Sequence, residues 1–364
     1  MALIHSEDMD LWREWSRSRH RAREAKHAAT GAVRTLLLGT ETPEGGAAWR
    51  ISRRDGESGP VLLIAVDSPS PTARASQLTA LPYLRRTVDV LTPVDVDLPE
   101  LTGPEWHHEY TADPERALRI RGIGAVLTIG QHLAAGRVAH ALAAREDLPA
   151  YVVQHGALTP YAPPLPRETT LLAWSDADGD FYRSGRTDVQ TRPLGSQMLW
   201  QAAHDRADGN PVQQERPVFL GQLHGAELSR RLLGRAAVDA CRRTGALYRP
   251  HPAETDVLSR TQHRLWQRRG IEFAPTDVPL RDLASPVIAV FSTGVLEAAA
   301  RGIPSWVHAP GAPRWIYEFW DRYRMRRLGG SEPTPAPADP GEEPSARLAT
   351  LLEDDAVTGA PESA

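Results

Sequence analysis

The sequence predicts an α/β protein made of two Rossmann-like domains that face each other across a cleft. Short apolar runs of strand length alternate with helical segments, which is typical of a parallel sheet covered on both faces. A polar stretch over residues 204–216, containing Asp208-Gly209-Asn210-Pro211, interrupts this alternation and is interpreted as a linker. The alternation then restarts, and a chain of 364 residues is long enough for two such domains.

The first alternation covers residues 56–203, which we assign to the N-terminal Rossmann-like domain. A helix is predicted between two of its strands, over Leu133–Arg145. The predicted strands are Val61–Val66, Val88–Leu91, Ala125–Ile129, Tyr151–Val153 and Thr170–Trp174.

The second alternation covers residues 217–328, which we assign to the C-terminal Rossmann-like domain. Strands and helices again alternate along the chain, so a second parallel sheet is expected. In order, the predicted elements are strand Pro217–Leu220, helix Leu228–Arg243, strand Ala246–Tyr248, helix Val257–Arg269 and strand Val287–Phe291.

The two ends differ from these domains. Residues 1–55 are predicted to form an N-terminal arm, helical over residues 8–34 and rich in arginine. A solvated helix is the favoured interpretation of the arm, while a surface for anionic lipid or nucleic acid stays open. Residues 329–364 form an acidic tail of low complexity, expected to be disordered apart from one short helix near residues 346–353.

Composition excludes several classes of protein. Cys241 is the only cysteine, which excludes an internal disulfide and any multi-cysteine metal site. Lys26 is the only lysine, which excludes most lysine-based catalysis. No apolar run has the length that spans a bilayer, and the N-terminus lacks a secretory pattern. We therefore expect a cytoplasmic protein, with a location at the inner face of the membrane left open.

The most informative motif follows the strand that ends at Phe291. Ser292 and Thr293 offer hydroxyl groups, and Gly294 lets a ligand approach the backbone. A helix beginning next would direct free N–H groups at an anion, and Glu297, one turn later, could accept hydrogen bonds from a ribose. The alternative is an ordinary capped helix after a core strand.

Two further motifs end strands of the same domain. Arg249 and His251, in Tyr248-Arg249-Pro250-His251-Pro252, can both donate to phosphate oxygens. Gln222 and His224 lie in Gly221-Gln222-Leu223-His224-Gly225, where the glycines permit close approach to a ligand. For this second motif a simple turn is the open alternative.

Two candidate general bases end strands of the first domain. His155 follows Gln154 at a strand end and has a pKa range suited to proton transfer, unless it only fastens the proline-rich loop that follows. Asp67 ends the first strand, and its alternative is an N-cap or an Asx turn.

Two other stretches have a favoured structural interpretation. The acidic run Trp174–Asp180 could suggest a divalent metal, but it lacks the ligand set of a calcium loop, so we favour a turn and a helix cap. Residues Trp315–Arg327 place Ile316, Phe319, Trp320 and Tyr323 on one helical face. We favour burial of this face over a membrane-surface helix.

Taken in order along the chain, the motifs resemble those of GT-B transferases of cell-surface polymer synthesis. This group includes the CDP-glycerol glycerophosphotransferases of teichoic acid assembly, the bacterial polysialyltransferases and the capsule transferases that use CMP-sugars. The resemblance covers roughly residues 60–328. It is carried by Gln154-His155-Gly156, Leu194-Gly195-Ser196, Arg249-Pro250-His251-Pro252, Ser292-Thr293-Gly294 with Glu297, and Gly302-Ile303-Pro304.

The resemblance implies a transferase that needs neither a metal nor another cofactor. It would move a sugar or a glycerol-phosphate-like unit from a CMP- or CDP-activated donor to a cell-surface glycan acceptor. His251, Ser292 and Thr293 would hold the donor's phosphates, although the Ser-Thr-Gly form departs from the family's usual pair. Nucleic acid is not an expected partner, and peripheral membrane contact stays open. The alternatives are a GT-B nucleotide-sugar epimerase or hydrolase, and a non-catalytic protein that binds nucleic acid or lipid.

Overall fold

The computed structural model describes residues 7–19, 48–205, 216–276 and 285–358. The chain divides into two compact units. Unit 1 comprises Met1–Ser18, Glu24–Gln197 and Pro340–Ala364, and unit 2 comprises Arg19–Arg23 and Met198–Asp339. Unit 2 is therefore inserted into unit 1, whose last segment follows it in the sequence. Most of the predicted linker, residues 206–215, lies outside the described residues.

Unit 1 contains an eight-stranded sheet in the order β4-β1-β3-β2-β5-β6-β7-β8. Strand β1 is antiparallel to β3 and β4, whereas all other neighbouring pairs are parallel. The strands are β1 (Trp49–Arg54), β2 (Glu57–Ala65), β3 (Arg86–Pro93), β4 (Trp106–Thr111), β5 (Ile123–Thr128), β6 (Ala150–Val153), β7 (Thr170–Ala173) and β8 (Gln190–Pro193).

Helices flank this sheet on both faces. Residues 9–19 are helical and form α1. The acidic run after Trp174 forms a helix cap, as favoured above, because the Ser175 side chain accepts a hydrogen bond from the Asp178 N–H. The remaining helices of unit 1 are α2 (Pro71–Gln77), α3 (Pro114–Arg119), α4 (Ala134–Glu146), α5 (Asp176–Arg183) and α11 (Pro344–Thr358), with single 3-10 turns at Leu81–Tyr83 and Pro99–Leu101.

Strand β2 shows why the sequence forms a covered parallel sheet. Its consecutive apolar side chains point to opposite faces, and all of them are buried. Leu62 and Ile64 belong to one core cluster, whereas Leu63 and Ala65 belong to another cluster together with residues of α4. An uninterrupted apolar run is thus needed to fill both layers of the core.

The C-terminal tail corrects the expectation of disorder. Helix α11 is longer than the short helix expected there, and it buries Leu348, Ala349 and Leu352 in the same cluster as Leu62. Before it, Thr334 is also buried. The acidic residues of the tail lie before and after this apolar stretch, so the overall acidic composition did not reveal a helix with a buried face. Residues 359–364 lie outside the described residues.

Unit 2 contains a four-stranded sheet in which every neighbouring pair is parallel, in the order β10-β9-β11-β12. Its strands are β9 (Val218–Leu220), β10 (Leu247–Arg249), β11 (Val287–Ala289) and β12 (Ser305–Val307). Its helices are α7 (Arg230–Thr244), α8 (Val257–Arg268), α9 (Gly294–Ala300) and α10 (Arg314–Arg322). Helix α6 (Gln197–His204) begins at the boundary between the units.

These elements confirm the predicted α/β class. The sheet of unit 2 is wholly parallel, whereas the sheet of unit 1 is parallel except for β1. Helix α10 buries Ile316, Phe319 and Trp320, so the favoured interpretation of that apolar stripe is confirmed. Strand β1 lies within residues 1–55, which were expected to form only an arm, and residues 20–47 of that arm lie outside the described residues. Within the described ranges, no helix is long and apolar enough to cross a membrane.

Candidate functional site

The loops of unit 2 meet at one edge of its sheet. Strand β9 continues to β10 on one side, whereas β11 continues to β12 on the other side. The carboxyl ends of β9 and β11 therefore form a topological switch point, which is where α/β sheets bind ligands. The predicted donor residues follow these two strands and the adjacent β10. Parallel pairing brings the three loops to the same edge.

A buried carboxylate holds two of these loops together. Glu254 lies five residues after the end of β10, and its side chain is fully buried. Its Oε1 accepts a hydrogen bond from the Leu223 N–H at 2.9 Å, in the loop after β9. Its Oε2 accepts from the Tyr248 hydroxyl at 2.8 Å and lies 2.9 Å from His263 Nε2. Glu254 thus fixes the loop after β9 relative to β10 and α8.

Close packing around Glu254 explains the glycine that ends β9. A Cβ at Gly221 would lie 2.4 Å from the Tyr248 hydroxyl and 2.7 Å from Glu254 Oε1. Any other residue would displace one of these groups, because real Cβ atoms do not approach so closely. The loop Gly221–Gly225 therefore depends on a buried network, which is more than the simple turn left open above.

The two predicted donor histidines are in contact. The rings of His224 and His251 are stacked, with centroids 3.8 Å apart and an angle of 20° between the planes. The Ala253 N–H donates to Nδ1 of His251 at 3.1 Å, which places the proton of the neutral ring on Nε2. His251 is exposed and His224 is partly buried. A hydrogen-bond donor at a strand end is suited to an anionic oxygen.

Gln222 connects the loop after β9 to the end of β11. Its Oε1 accepts hydrogen bonds from the N–H groups of Val290 and Phe291, both at 3.1 Å. The amide oxygen is thus used to position Ser292, which follows directly. Helix α10 supports the same strand end, because Trp320 Nε1 donates to the Val290 carbonyl at 2.7 Å.

The start of α9 differs from the expected array of free N–H groups. The Gly294 N–H donates to Ser292 Oγ at 3.1 Å, and the Val295 N–H donates to the Ser292 carbonyl at 3.1 Å. Thr293 stands at the N-cap position with helical backbone angles and makes no side-chain cap hydrogen bond. The hydroxyl groups and not the helix terminus are therefore the features of this loop that could meet an anion.

Two other predicted donor residues already have partners. Arg249 donates from Nη1 to the Pro275 carbonyl at 2.9 Å. Glu297 lies 3.5 Å from Arg301 Nη2, one helical turn away. Both side chains are only partly buried, so these contacts position them without removing them from solvent.

In unit 1, Asp67 lies at the corresponding switch point between β2 and β5. Its Oδ1 accepts from the Ala135 N–H at 2.6 Å, and its Oδ2 accepts from the Gly136 N–H at 3.0 Å. Burial raises the pKa of this carboxyl, and the hydrogen bonds to the backbone oppose that shift. Asp67 therefore anchors the first turn of α4, where a Cβ at Gly136 would lie 2.0 Å from the Gly130 carbonyl oxygen.

His155, the other candidate base, follows β6 in unit 1. Burial lowers its pKa. A second histidine, His132, lies after β5, and its pKa is lowered to about 4 by burial and by the proximity of His155. The ring of Trp12 from α1 meets His132 edge-on at 5.7 Å, and Trp12 Nε1 donates to the Tyr161 carbonyl at 2.9 Å. Both histidines are therefore neutral near pH 7.

Sequence reasoning missed Glu254 and His132. Glu254 lies only three residues after His251, so its spacing from that motif was the available signal. His132 follows a predicted strand, as His155 does, and could have been found in the same way. Among the described residues, no group of three or more His, Cys, Asp or Glu side chains could hold a metal ion.

The fold and these loops define a two-unit α/β protein with polar loops at the carboxyl edge of each sheet. No protein-family model matches the chain, and neither does any curated protein. Among solved structures, the chain is similar to a UDP-GlcNAc 2-epimerase from Methanocaldococcus jannaschii, with 10% identity, a TM-score of 0.48, and coverage of 81% of this chain and 99% of that chain.

A second solved structure is MurG from Acinetobacter baumannii. The identity is 10% and the TM-score 0.38, with coverage of 84% of this chain and 96% of that chain. Because both TM-scores lie below 0.5, neither likeness establishes an activity for this chain.

Proposed function

We propose that the chain is a GT-B-type transferase that moves a sugar or a glycerol-phosphate-like unit. The donor is a cytidine nucleotide, CMP- or CDP-activated, and the acceptor is a cell-surface glycan. No metal takes part in this proposal. The cytidine donor and the glycan acceptor are what the resemblance of the ordered motifs implies, and the geometry of unit 2 supports the proposed phosphate site.

The stacked pair of His224 and His251 is the observation that carries the proposal. The pair lies at the carboxyl edge of the sheet. Glu254 accepts a hydrogen bond from the Leu223 N–H and so holds the loop that carries His224. Gln222 links the same loop to the strand end that precedes Ser292. Imidazole N–H groups, the Arg249 guanidinium and the Ser292 hydroxyl can together meet the charge that develops on a leaving phosphate.

The acceptor hydroxyl requires a base, and we assign this role to His155. A neutral imidazole can accept a proton, and burial keeps His155 neutral. Asp67 remains the rival carboxylate, but both of its oxygens already accept backbone N–H groups. In this proposal Asp67 positions α4, and His155 takes the proton.

A binding experiment tests the donor site. Thermal unfolding of the protein would be measured with CMP, CDP, UDP and GDP, and repeated with His251→Ala. A nucleotide at 100 times its Kd stabilises the folded state by about 2.7 kcal/mol. We expect the cytidine nucleotides to stabilise the wild type and His251→Ala to bind at least about tenfold more weakly, which corresponds to about 1.4 kcal/mol. His204→Ala, at the exposed end of α6, is the matched control.

The results distinguish several failures. If none of the four nucleotides stabilises the wild type, the donor site is wrong. If only UDP or GDP does so, the cytidine assignment is wrong. Unchanged binding by His251→Ala would remove that residue from the site.

Turnover is tested separately by incubating the protein with a CMP- or CDP-activated donor and no acceptor. A transferase leaves the donor largely intact under these conditions. Release of free sugar or an isomerised donor would instead favour the epimerase or hydrolase alternative.

A further inference from the structure

Helices α7 and α8 of unit 2 border an open groove of about 430 Å³. Arg231, Arg235 and Arg242 line it from α7, and Gln262 lines it from α8. The helices approach closely at Gly234, where a Cβ would lie 2.6 Å from Gln262 Nε2 and 3.2 Å from the Trp266 ring. The groove is thus a fixed feature of the helix pair.

Helix α8 exposes large aliphatic side chains beside this groove. Val257 is 63% exposed, Leu258 is 61% exposed and Leu265 is 44% exposed. At 3.6 residues per turn these three side chains fall within about 100° of one another around α8, while Ser259 and Trp266 lie on the adjoining, buried side. Exposed aliphatic residues grouped in this way indicate an interaction surface.

The charge of this surface is strongly positive. The two helices carry eight arginines and one carboxylate, Asp239, which pairs with Arg243 and His308. Six of the arginines are exposed and form no ion pair with a carboxylate in the described part of the chain, namely Arg231, Arg235, Arg242, Arg260, Arg264 and Arg268. Together with Val257, Leu258 and Leu265 they define what we term the α7/α8 face.

We propose that the α7/α8 face binds the surface of a bilayer that contains anionic lipids. Val257, Leu258 and Leu265 would enter the boundary between headgroups and acyl chains, as the apolar face of an interfacial helix does. The arginines would pair with lipid phosphates, and the groove lined by Arg231 and Arg235 would receive a headgroup. The proposal does not depend on the identity of any nucleotide donor.

Nucleic acid is the competing partner for an arginine-rich surface. Single-stranded nucleic acid is bound with aromatic side chains on which bases stack. Trp266 is the only Trp, Tyr or Phe residue of the two helices, and it is buried. The exposed side chains between the arginines are aliphatic, which favours insertion into lipid.

Vesicle flotation with the full chain tests the proposal. Vesicles of phosphatidylcholine alone would be compared with vesicles that also contain phosphatidylglycerol. We expect binding only to the anionic vesicles. Arg231→Ala with Arg235→Ala should weaken it about 30-fold, since each arginine near an anionic surface contributes about 1 kcal/mol. Leu258→Ser with Leu265→Ser should weaken it about tenfold through loss of apolar burial.

Helix α3 of unit 1 supplies matched controls. Arg116 and Arg119 are both exposed and lie three residues apart, close to the four-residue spacing of Arg231 and Arg235, and Ile120 is 88% exposed. Arg116→Ala with Arg119→Ala, and Ile120→Ser alone, should leave vesicle binding unchanged. Thermal unfolding of each variant verifies that it is folded.

Three results would overturn the proposal. The first is that the wild type does not bind anionic vesicles. The second is that the folded leucine variant, Leu258→Ser with Leu265→Ser, binds vesicles as tightly as the wild type does. That result would mean that the aliphatic side chains do not enter the bilayer and that only charge attracts the protein to it. The third is that a single-stranded RNA oligonucleotide competes fully with the vesicles and is bound equally well by the leucine variant, which would assign the face to nucleic acid.

Discussion

Each sheet places a carboxylate near its carboxyl edge, partly buried in unit 1 and fully buried in unit 2, and the two carboxylates have different partners. In unit 1, Asp67 accepts two N–H groups of α4, and the neighbouring His132 is kept neutral by burial. In unit 2, Glu254 accepts hydrogen bonds from the Leu223 N–H and the Tyr248 hydroxyl and contacts His263. His251, three residues earlier in the same loop, is exposed.

This difference shows how one topology can hold two kinds of chemistry. At the edge of unit 1, burial suppresses charge, which suits a group that accepts a proton. At the edge of unit 2, burial is confined to a supporting carboxylate, so that polar side chains can stay in solvent and meet an anion. In both units the supporting carboxylate, Asp67 or Glu254, fixes the geometry of the loops around it.

The largest expected effect comes from removing the support in unit 2. Glu254→Ala would leave the Leu223 N–H, the Tyr248 hydroxyl and His263 without their acceptor. Each buried group left without its acceptor costs about 1–3 kcal/mol, so we expect the three groups together to lower the free energy of unfolding in urea by more than about 3 kcal/mol. Glu318→Ala, in an exposed pair with Arg314, should cost less than about 1 kcal/mol. Equal losses for the two variants would contradict the role of Glu254.

A smaller effect is expected from the carboxylate of unit 1. Asp67→Ala would leave two N–H groups of α4 without an acceptor, at a cost of about 2 kcal/mol. Asp113→Ala removes an exposed N-cap of α3, which accepts from the Arg116 N–H at 3.0 Å, and should cost about 1 kcal/mol. If Asp67→Ala unfolds at the same urea concentration as the wild type, Asp67 does not anchor α4.

The smallest effect concerns pH. The pKa of His132 is lowered to about 4, below the value of about 6.5 expected in the unfolded chain. Between these values the unfolded chain binds more protons, so stability is complete above about pH 6.5 and is lost as the pH falls toward 4. His140, whose pKa is also lowered to about 4, contributes with the same sign.

The variant His132→Gln separates the contribution of His132 to the pH dependence of stability from that of His140. The free energy of unfolding would be measured in urea at neutral and mildly acidic pH for the wild type and the variant. Because His132 is partly buried and not fully enclosed, we expect the wild type to lose about 1 kcal/mol more than the variant on acidification. An equal loss in both proteins would mean that His132 is not held neutral by burial.

Much of the fold could be predicted from the sequence because the central strands are buried on both faces. Strands such as β2 then appear as continuous apolar runs. Strand β1, with the sequence Trp-Arg-Ile-Ser-Arg-Arg, and strand β8, with Gln-Thr-Arg-Pro, lack that pattern. Strand β1 pairs with β3 and β4, which come much later in the sequence, and β8 lies at the edge of the sheet. The local sequence of neither strand indicates its pairing.

The candidate site divides in a similar way. Gln222, His224, Arg249, His251 and Ser292 were identified because polar residues stood at predicted strand ends. The supporting contacts could not be predicted, since the partners of Glu254 come from three separate segments. The occupied N–H groups at the start of α9 likewise depend on a turn that the Ser292 side chain closes.

The position of α11 has a consequence for the order in which the protein is made. Leu348 and Leu352 complete a core whose other members begin near Leu62, and the main segment of unit 2, Met198–Asp339, lies between them in the sequence. During synthesis, unit 2 is therefore available to fold before unit 1 has all of its core residues. A nascent chain that stops after residue 339 would contain all of unit 2 but would lack α11. The apolar residues of unit 1 that α11 covers would then be exposed and could bind chaperones.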